Sequence, residues 1–254
     1  MLNIEIVSCL NDNFSYIIHE DNTGIVGVID PSEFYPIDEL ISKKYKKIDF
    51  ILNTHHHFDH VGGNKKIKEK YKSKVVGSKI DKNRIPEIDI LLSDNDSFKF
   101  GTLIFKIMFA PGHTSGHICF YCEEEKIIFT GDTLFSLGCG RIFEGSYKQM
   151  FNSLNIIKKL PKETNIYCGH EYTKKNLEFC LKYDKNNEGL NIKKIWIEKR
   201  LQDRLPSIPV SLGSELSNNI FFRCDDLSVK KNLGMQNSSE EEIFKKLRDL
   251  KDSF

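Results

Sequence analysis

Thr54-His55-His56-His57-Phe58-Asp59-His60 gathers four of the chain's eight histidines and a carboxylate into seven positions, directly after the apolar, strand-like segment Ile48–Leu52. Histidine is the commonest metal-binding side chain and a carboxylate is its usual hard companion. In a His-x-His-x-Asp-His spacing alternate side chains point to one side while the last two turn to another. That geometry suits two metal ions side by side. The run is internal and follows a strand, which separates it from a polar surface loop or a tag-like accident.

Outward from this run, short strands dominate the first two thirds of the chain. Leu2–Ser8, Ser15–His19 and Ile25–Asp30 read as strands parted by Asn, Asp and Gly turns, and Pro36–Tyr45 reads as a helix with proline in its first turn. Beyond the histidines, Gly62-Gly63 opens a helical segment reaching Tyr71, followed by strands at Lys74–Gly77, Phe98–Phe100, Thr102–Phe109, Ile118–Cys122 and Ile127–Thr130. Met150, Leu154, Ile157 and Leu160 stripe a helix over Tyr147–Leu160 that Pro161 stops, and Asn165–Cys168 adds a strand. The character then changes: Glu171–Tyr183, Ile192–Leu205 and Ser239–Leu250 all read as helices, with Pro206 and Pro209 between the last two. A boundary is expected near residue 173, giving domains 1–172 and 173–254.

Three more donor candidates share one context. His113 in Ala110-Pro111-Gly112-His113, Asp132 in Thr130-Gly131-Asp132 and His170 in Cys168-Gly169-His170 each follow a strand's carboxyl end and a glycine. Glycine permits the sharp turn and close backbone approach that can aim such a side chain into a shared site. Singly, each reads more readily as a turn-capping or hydrogen-bonding residue. With the dense run they make five imidazoles and two carboxylates, enough for two open metal sites sharing one carboxylate.

Bulk composition narrows the partners. Lys+Arg of 37 against Asp+Glu of 36 gives a net charge of +1, so no global field draws nucleic acid or a membrane surface. No apolar run has spanning length, and Met1-Leu2-Asn3-Ile4-Glu5 opens straight into strand-like alternation, from which a cytoplasmic protein is expected. The seven cysteines are an odd, scattered set and read as reduced core thiols. Cys119 and Cys122 have the spacing of a redox or thiolate pair, but they fall inside a strand with no second pair.

The ordered set His55, His57, Asp59, His60, His113, Asp132 and His170 resembles the metallo-β-lactamase fold superfamily. Pro111-Gly112-His113-Thr114-Ser115-Gly116-His117, Thr130-Gly131-Asp132-Thr133-Leu134-Phe135, Gly138-Cys139-Gly140-Arg141 and Tyr167-Cys168-Gly169-His170-Glu171-Tyr172-Thr173 narrow the resemblance to the glyoxalase II family, the hydroxyacylglutathione hydrolases. It covers nearly the whole chain, including Asn219-Ile220-Phe221-Phe222-Arg223 and Leu247-Arg248-Asp249-Leu250-Lys251-Asp252. The resemblance implies a four-layer αββα sandwich with a smaller helical carboxyl-terminal domain. It implies a first metal held by His55, His57 and His113, a second by Asp59, His60 and His170, and Asp132 bridging both.

The implied chemistry is hydrolysis of S-D-lactoylglutathione and other 2-hydroxyacyl glutathione thioesters, the second step of methylglyoxal detoxification. Two cations would bring the pKa of bound water from about 15.7 toward neutrality and polarise the carbonyl. A thiol with a pKa of about 8.5 leaves as thiolate without a general acid. Asp59 is a further candidate for orienting the hydroxide. Nitrogen and oxygen donors favour zinc while allowing iron or manganese. For the substrate the family implies Arg141, Tyr172, Arg248 and Lys251, with Phe143 standing where relatives often carry an aromatic hydroxyl. Phe58 is expected to pack, and His56 and His117 to support the ligands. A monomer is favoured. The alternative is a mononuclear-iron persulfide dioxygenase of the same fold, against which the long helical tail argues.

Overall fold

The strands at the start of the chain pair as their alternation requires. β1 (Leu2–Cys9) and β2 (Asn13–Glu20) form an antiparallel hairpin and β3 (Ile25–Ile29) adds antiparallel to β2. From β3 onward the sheet is parallel, running through β4 (Phe50–Leu52), β5 (Lys74–Ser78) and β6 (Ile88–Leu92). Parallel neighbours need crossovers. Here α1 (Tyr35–Lys44) joins β3 to β4, and the single turn α2 (Phe58–Val61) with α3 (Asn64–Tyr71) joins β4 to β5. The helices bury Ile37, Ile41 and Ile67 in one cluster with Ile17, Val28, Ile51 and Val75 of the sheet. Each such side chain contributes about 1.5–3 kcal/mol on burial.

This topology positions the site. Parallel strands end on one rim, and the ends of β3, β4 and β5 carry in turn Asp30, the histidine run, and a 3₁₀ turn at Lys79–Asp81. Ligands of open α/β sheets bind at such rims.

A second sheet, β7 (Ser97–Phe100), β8 (Leu103–Phe109), β9 (Ile118–Cys122) and β10 (Ile127–Gly131), is an antiparallel meander whose inner face meets the first. Phe50 packs edge-on to Phe98 and Tyr16 against Phe129, each pair with ring centroids 5.2 Å apart. At Gly27 a Cβ would lie 2.8 Å from the Phe100 ring, so the sheets approach too closely there for any side chain. The Ile118 N–H donates to the Thr54 carbonyl at 2.9 Å, tying β9 to the histidine run.

The computed structural model describes all 254 residues, in two compact units: Met1–Ala110 with Ser115–Gly131, whose elements are those above, and Pro111–Thr114 with Asp132–Phe254. The second unit contains a two-residue-per-strand hairpin, β11 (Leu134–Phe135) and β12 (Gly138–Cys139), and the antiparallel pair β13 (Asn165–Cys168) and β14 (Val210–Ser211). Its helices are α4 (Tyr147–Ile157), α5 (Thr173–Tyr183), α6 (Glu188–Gln202), α7 (Leu212–Asn218), α8 (Leu227–Asn232) and α9 (Glu240–Asp252). Phe151, Phe179, Phe221 and Phe244 form a linked aromatic core among them. The fold is an α/β sandwich with a helical carboxyl-terminal part.

Departures from the sequence reading have local causes. The turn α2 lies inside the histidine run, too short for a periodicity to reveal. The α5 helix starts at Thr173, not Glu171, because the Glu171 carboxylate is taken by the Ser207 N–H and hydroxyl. The α6 helix starts at Glu188, earlier than Ile192, where the Asn187 side chain accepts from the Gly189 N–H. The capping box of Ser239 and Glu242 opens α9 as expected.

Candidate metal centre

In the first unit the donors are organised by a buried carboxylate. Asp30 accepts from the Thr54 N–H at 2.7 Å, from the Thr54 hydroxyl at 2.6 Å, and lies 3.0 Å from His60 Nδ1. Thr54 Oγ1, its proton given to Asp30, lies 3.1 Å from His55 Nδ1. Both histidines therefore donate through Nδ1, His60 directly and His55 through the hydroxyl, which leaves each Nε2 as a lone-pair donor. His55 Nε2 lies 3.1 Å from His57 Nδ1, so the two nitrogens share one small space. The turn α2 swings Asp59 and His60 the other way, placing Asp59 Oδ2 3.6 Å from His60 Nε2. Asn13 Nδ2 fixes Asp59 through its carbonyl at 3.1 Å and its carboxylate at 3.0 Å. The buried His117 ring stacks on His55, centroids 4.9 Å apart.

In the second unit the donors converge on one oxygen. His113 Nε2 is 3.5 Å and His170 Nε2 3.3 Å from Asp132 Oδ2. His113 Nδ1 donates to the Arg141 carbonyl at 2.9 Å, and the His170 ring stacks on Tyr172 at 4.7 Å and 5°. The hairpin following Asp132 is pinned from beneath, for Glu215 accepts from the Leu137 N–H at 2.7 Å and Asn219 Nδ2 donates to the Gly138 carbonyl at 3.1 Å. Burial raises the pKa of Glu215.

Within each unit these groups match what divalent cations need: nitrogen and oxygen donors only, with Nδ1 of His55 and His60 in the first and of His113 in the second committed elsewhere, so that each offers Nε2 as its donor. Thiolates are not among them. All seven cysteines are free and buried, and burial pushes the Cys168 thiol up to about 12 and Cys139 to about 11. Cys119 and Cys122, an odd number of positions apart in β9, face opposite sides of the strand.

The candidate substrate residues fall into two kinds. Arg141 is exposed and pairs with Asp252, while Phe143, 62 % exposed, stands edge-on to His113 at 5.2 Å. Arg248 is buried instead of solvated, its Nη1 donating to the Cys139 carbonyl at 2.7 Å and its Nη2 to Asp252 at 2.9 Å. Lys251 lies between the rings of Phe179 and Phe254, and burial, with Arg248 nearby, lowers its pKa to about 8. Phe58 does not pack as expected: it is 79 % exposed.

Residues 11–170 match the model of the metallo-beta-lactamase superfamily, and residues 171–254 match that of the hydroxyacylglutathione hydrolase C-terminus. A hydroxyacylglutathione hydrolase of Pelagibacter ubique is 52 % identical over 253 residues, covering all of both chains. The chain belongs to the hydroxyacylglutathione hydrolase family. The family's Brucella ovis member is 38 % identical over 253 residues, covering 100 % of this chain and 98 % of its own. The fold is also that of ETHE1 from Myxococcus xanthus, with a TM-score of 0.69 at 21 % identity, covering 98 % of this chain and 91 % of that one.

Sequence reasoning missed Asp30 and Asn13. Asp30 carries the same signal that identified Asp132, a carboxylate at the end of an apolar strand, and its left-handed φ of 46° followed by Pro31 marks a forced turn. Asn13 gives no such signal, because it lies in a turn-rich stretch, Asn11-Asp12-Asn13, where asparagine is unremarkable.

Proposed function

We propose that this protein hydrolyses 2-hydroxyacyl glutathione thioesters, S-D-lactoylglutathione above all, to the 2-hydroxy acid and glutathione. The observation that carries the reading is full-length identity of 52 % to a hydroxyacylglutathione hydrolase, combined with an unbroken set of nitrogen and oxygen donors. As the family resemblance implies, His55, His57 and His113 would hold one metal ion and Asp59, His60 and His170 the other. Asp132 is assigned the bridge, on the ground that two of these imidazoles already share its Oδ2. Zinc is favoured for both positions, with iron and manganese compatible with the same donors.

When bound, the pair of cations supplies hydroxide at neutral pH and withdraws charge from the thioester carbonyl. The chain's own contribution is positional. Asp30 keeps His55 and His60 in the tautomer that offers Nε2, and the Arg141 carbonyl does so for His113. Asn13 holds Asp59 through Oδ2, and Asp59 is assigned to orient the attacking water. The leaving thiol needs no acid, since about 8.5 is already a low pKa for departure as thiolate.

For the glutathione carboxylates we assign Arg141 and Lys251 as cations, with Tyr172 and Phe143 as ring walls beside His170 and His113. Arg248 acts from beneath by holding the Cys139–Gly140 turn that leads to Arg141. In this reading residues 1–172 carry catalysis and 173–254 the glutathione site. The working state is taken as a cytoplasmic monomer; no helix is long and apolar enough to cross a membrane.

The test is thioester cleavage by purified protein alongside metal analysis. Two metals per chain with release of free thiol is expected. One iron per chain, with oxygen uptake and no thioester cleavage, would overturn the reading.

A further inference from the structure

Asp81 has no exposed surface, yet it is not among the proposed ligands. It ends the 3₁₀ turn after β5, on the same rim as the histidine run. Its Oδ1 accepts from Arg84 Nε at 3.2 Å and from Arg84 Nη2, making a forked ion pair. Its Oδ2 faces His56 Nδ1 at 3.4 Å. Arg84 Nη2 also donates to Ser115 Oγ at 3.0 Å, and a Cβ on Gly116 would meet the Asp81 carboxyl carbon at 2.5 Å. This ion pair, buried at Asp81 and partly exposed at Arg84, thus touches the middle of the His55–His57 run, through His56, and the segment that leads into His117, which in turn stacks on His55.

The energetics favour a purpose beyond stability. A buried ion pair is weak evidence for stability, because desolvation of the charges offsets much of their attraction. What a forked, planar pair supplies is fixed geometry. The His56 ring lies 5.0 Å from that of His57 and 6.5 Å from that of His55, so holding it steadies the backbone that sets the separation of His55 and His57.

Building on the metal assignment above, we propose that Asp81 and Arg84 are positioning residues that preset the His55–His57 spacing for the cation. They do so by clamping His56 on one side and Ser115-Gly116 on the other. The clamp sets how tightly the first metal binds, and the catalytic groups only feel it through that metal.

The test measures metal affinity directly, by chelator competition with zinc, together with the visible absorption of the cobalt(II)-loaded protein, which reports ligand geometry. Asp81→Asn keeps the shape and removes the charge; its zinc affinity is expected to fall about 10–100-fold, the range seen when partners of metal ligands are lost, with a shifted cobalt spectrum. Arg84→Lys should lie between it and wild type, since the charge returns without the fork. Ser115→Ala, which removes only a surface-side anchor and leaves the buried pair intact, covers the case in which Asp81→Asn does not fold and should weaken zinc severalfold. Unchanged zinc affinity and cobalt spectrum in Asp81→Asn, or in Ser115→Ala should the former not fold, would overturn the clamp while leaving the hydrolase reading in place. Failure of the wild-type protein to bind zinc would overturn both.

Discussion

The two groups of donors are held by different means. In the first unit charge holds the imidazoles: Asp30 organises His55 and His60, and the Asp81–Arg84 pair touches His56. In the second, shape holds them: a backbone carbonyl for His113, a stacked ring for His170, and a glycine, Gly140, whose backbone lies in contact with the Asp132 carbonyl. Loss of a charge should therefore act on metal affinity in graded steps, and loss of a close fit should act on folding of the site.

The largest effect is expected at Asp132. Asp132→Ala removes the oxygen on which His113 and His170 converge and should lower kcat by about 100-fold or more, at or beyond the 10–100-fold lost with an outer partner of a metal ligand. Metal content should drop in parallel. Retention of two metals with near-normal kcat would take Asp132 out of the bridge.

Next comes the charge-held group. Asp30→Asn keeps a hydrogen-bonding shape, yet no longer favours Nδ1–H on His60 and no longer draws the Thr54 proton. Zinc affinity should fall about 10–100-fold, and excess zinc should restore much of the activity. A kcat that stays low at saturating zinc would show that Asp30 does more than hold ligands.

How much of this was legible depended on how local the signal is. The run at residues 54–60 declares itself because five donors are neighbours in sequence and the preceding strand fixes their start. His113, Asp132 and His170 each look like ordinary turn residues, and only their shared place after a strand and a glycine, with the resemblance, joined them; the contacts among them lie in tertiary structure. Asp30 and Asp81 were readable in principle from strand ends on a parallel rim, but β6 and the 3₁₀ turn after β5 are short and give no periodicity. The small elements between Pro206 and Ser239 were hidden for the same reason, since α7 and α8 span only two turns or fewer. Arg248 and Lys251 lie three apart on α9, but burial of Arg248 follows from the Cys139 and Gly140 carbonyls, which no local pattern announces.

For the shape-held group the direct probe is Gly140. A Cβ there would run into the Asp132 carbonyl oxygen and come within 3.3 Å of His113 Nδ1. Gly140→Ala should cost about 1–3 kcal/mol of stability as an overpacked site, read by thermal or urea unfolding, and should lower metal occupancy together with stability. If occupancy falls while stability is unchanged, the close fit tunes the ligands and the two groups are less different than they look.

The smallest effect is expected at Lys251, which is not one of the donors. Burial and then Arg248 bring its pKa from 10.5 down to about 8. Between those values the unfolded chain binds more protons than the folded one, so stability should rise with pH through that window. Substitution by methionine should remove the rise. Binding has the opposite sign: a carboxylate ligand needs the ammonium form, so KM for a glutathione thioester should increase severalfold as pH passes about 8, with kcat changed far less. Lys251→Met should raise KM at neutral pH and flatten its pH profile. Because Lys251 Nζ also donates to the Lys175 carbonyl at 3.2 Å, a purely structural lysine would move stability and leave the KM profile parallel to wild type; that result would remove Lys251 from the substrate site while leaving the metal centre's assignment intact.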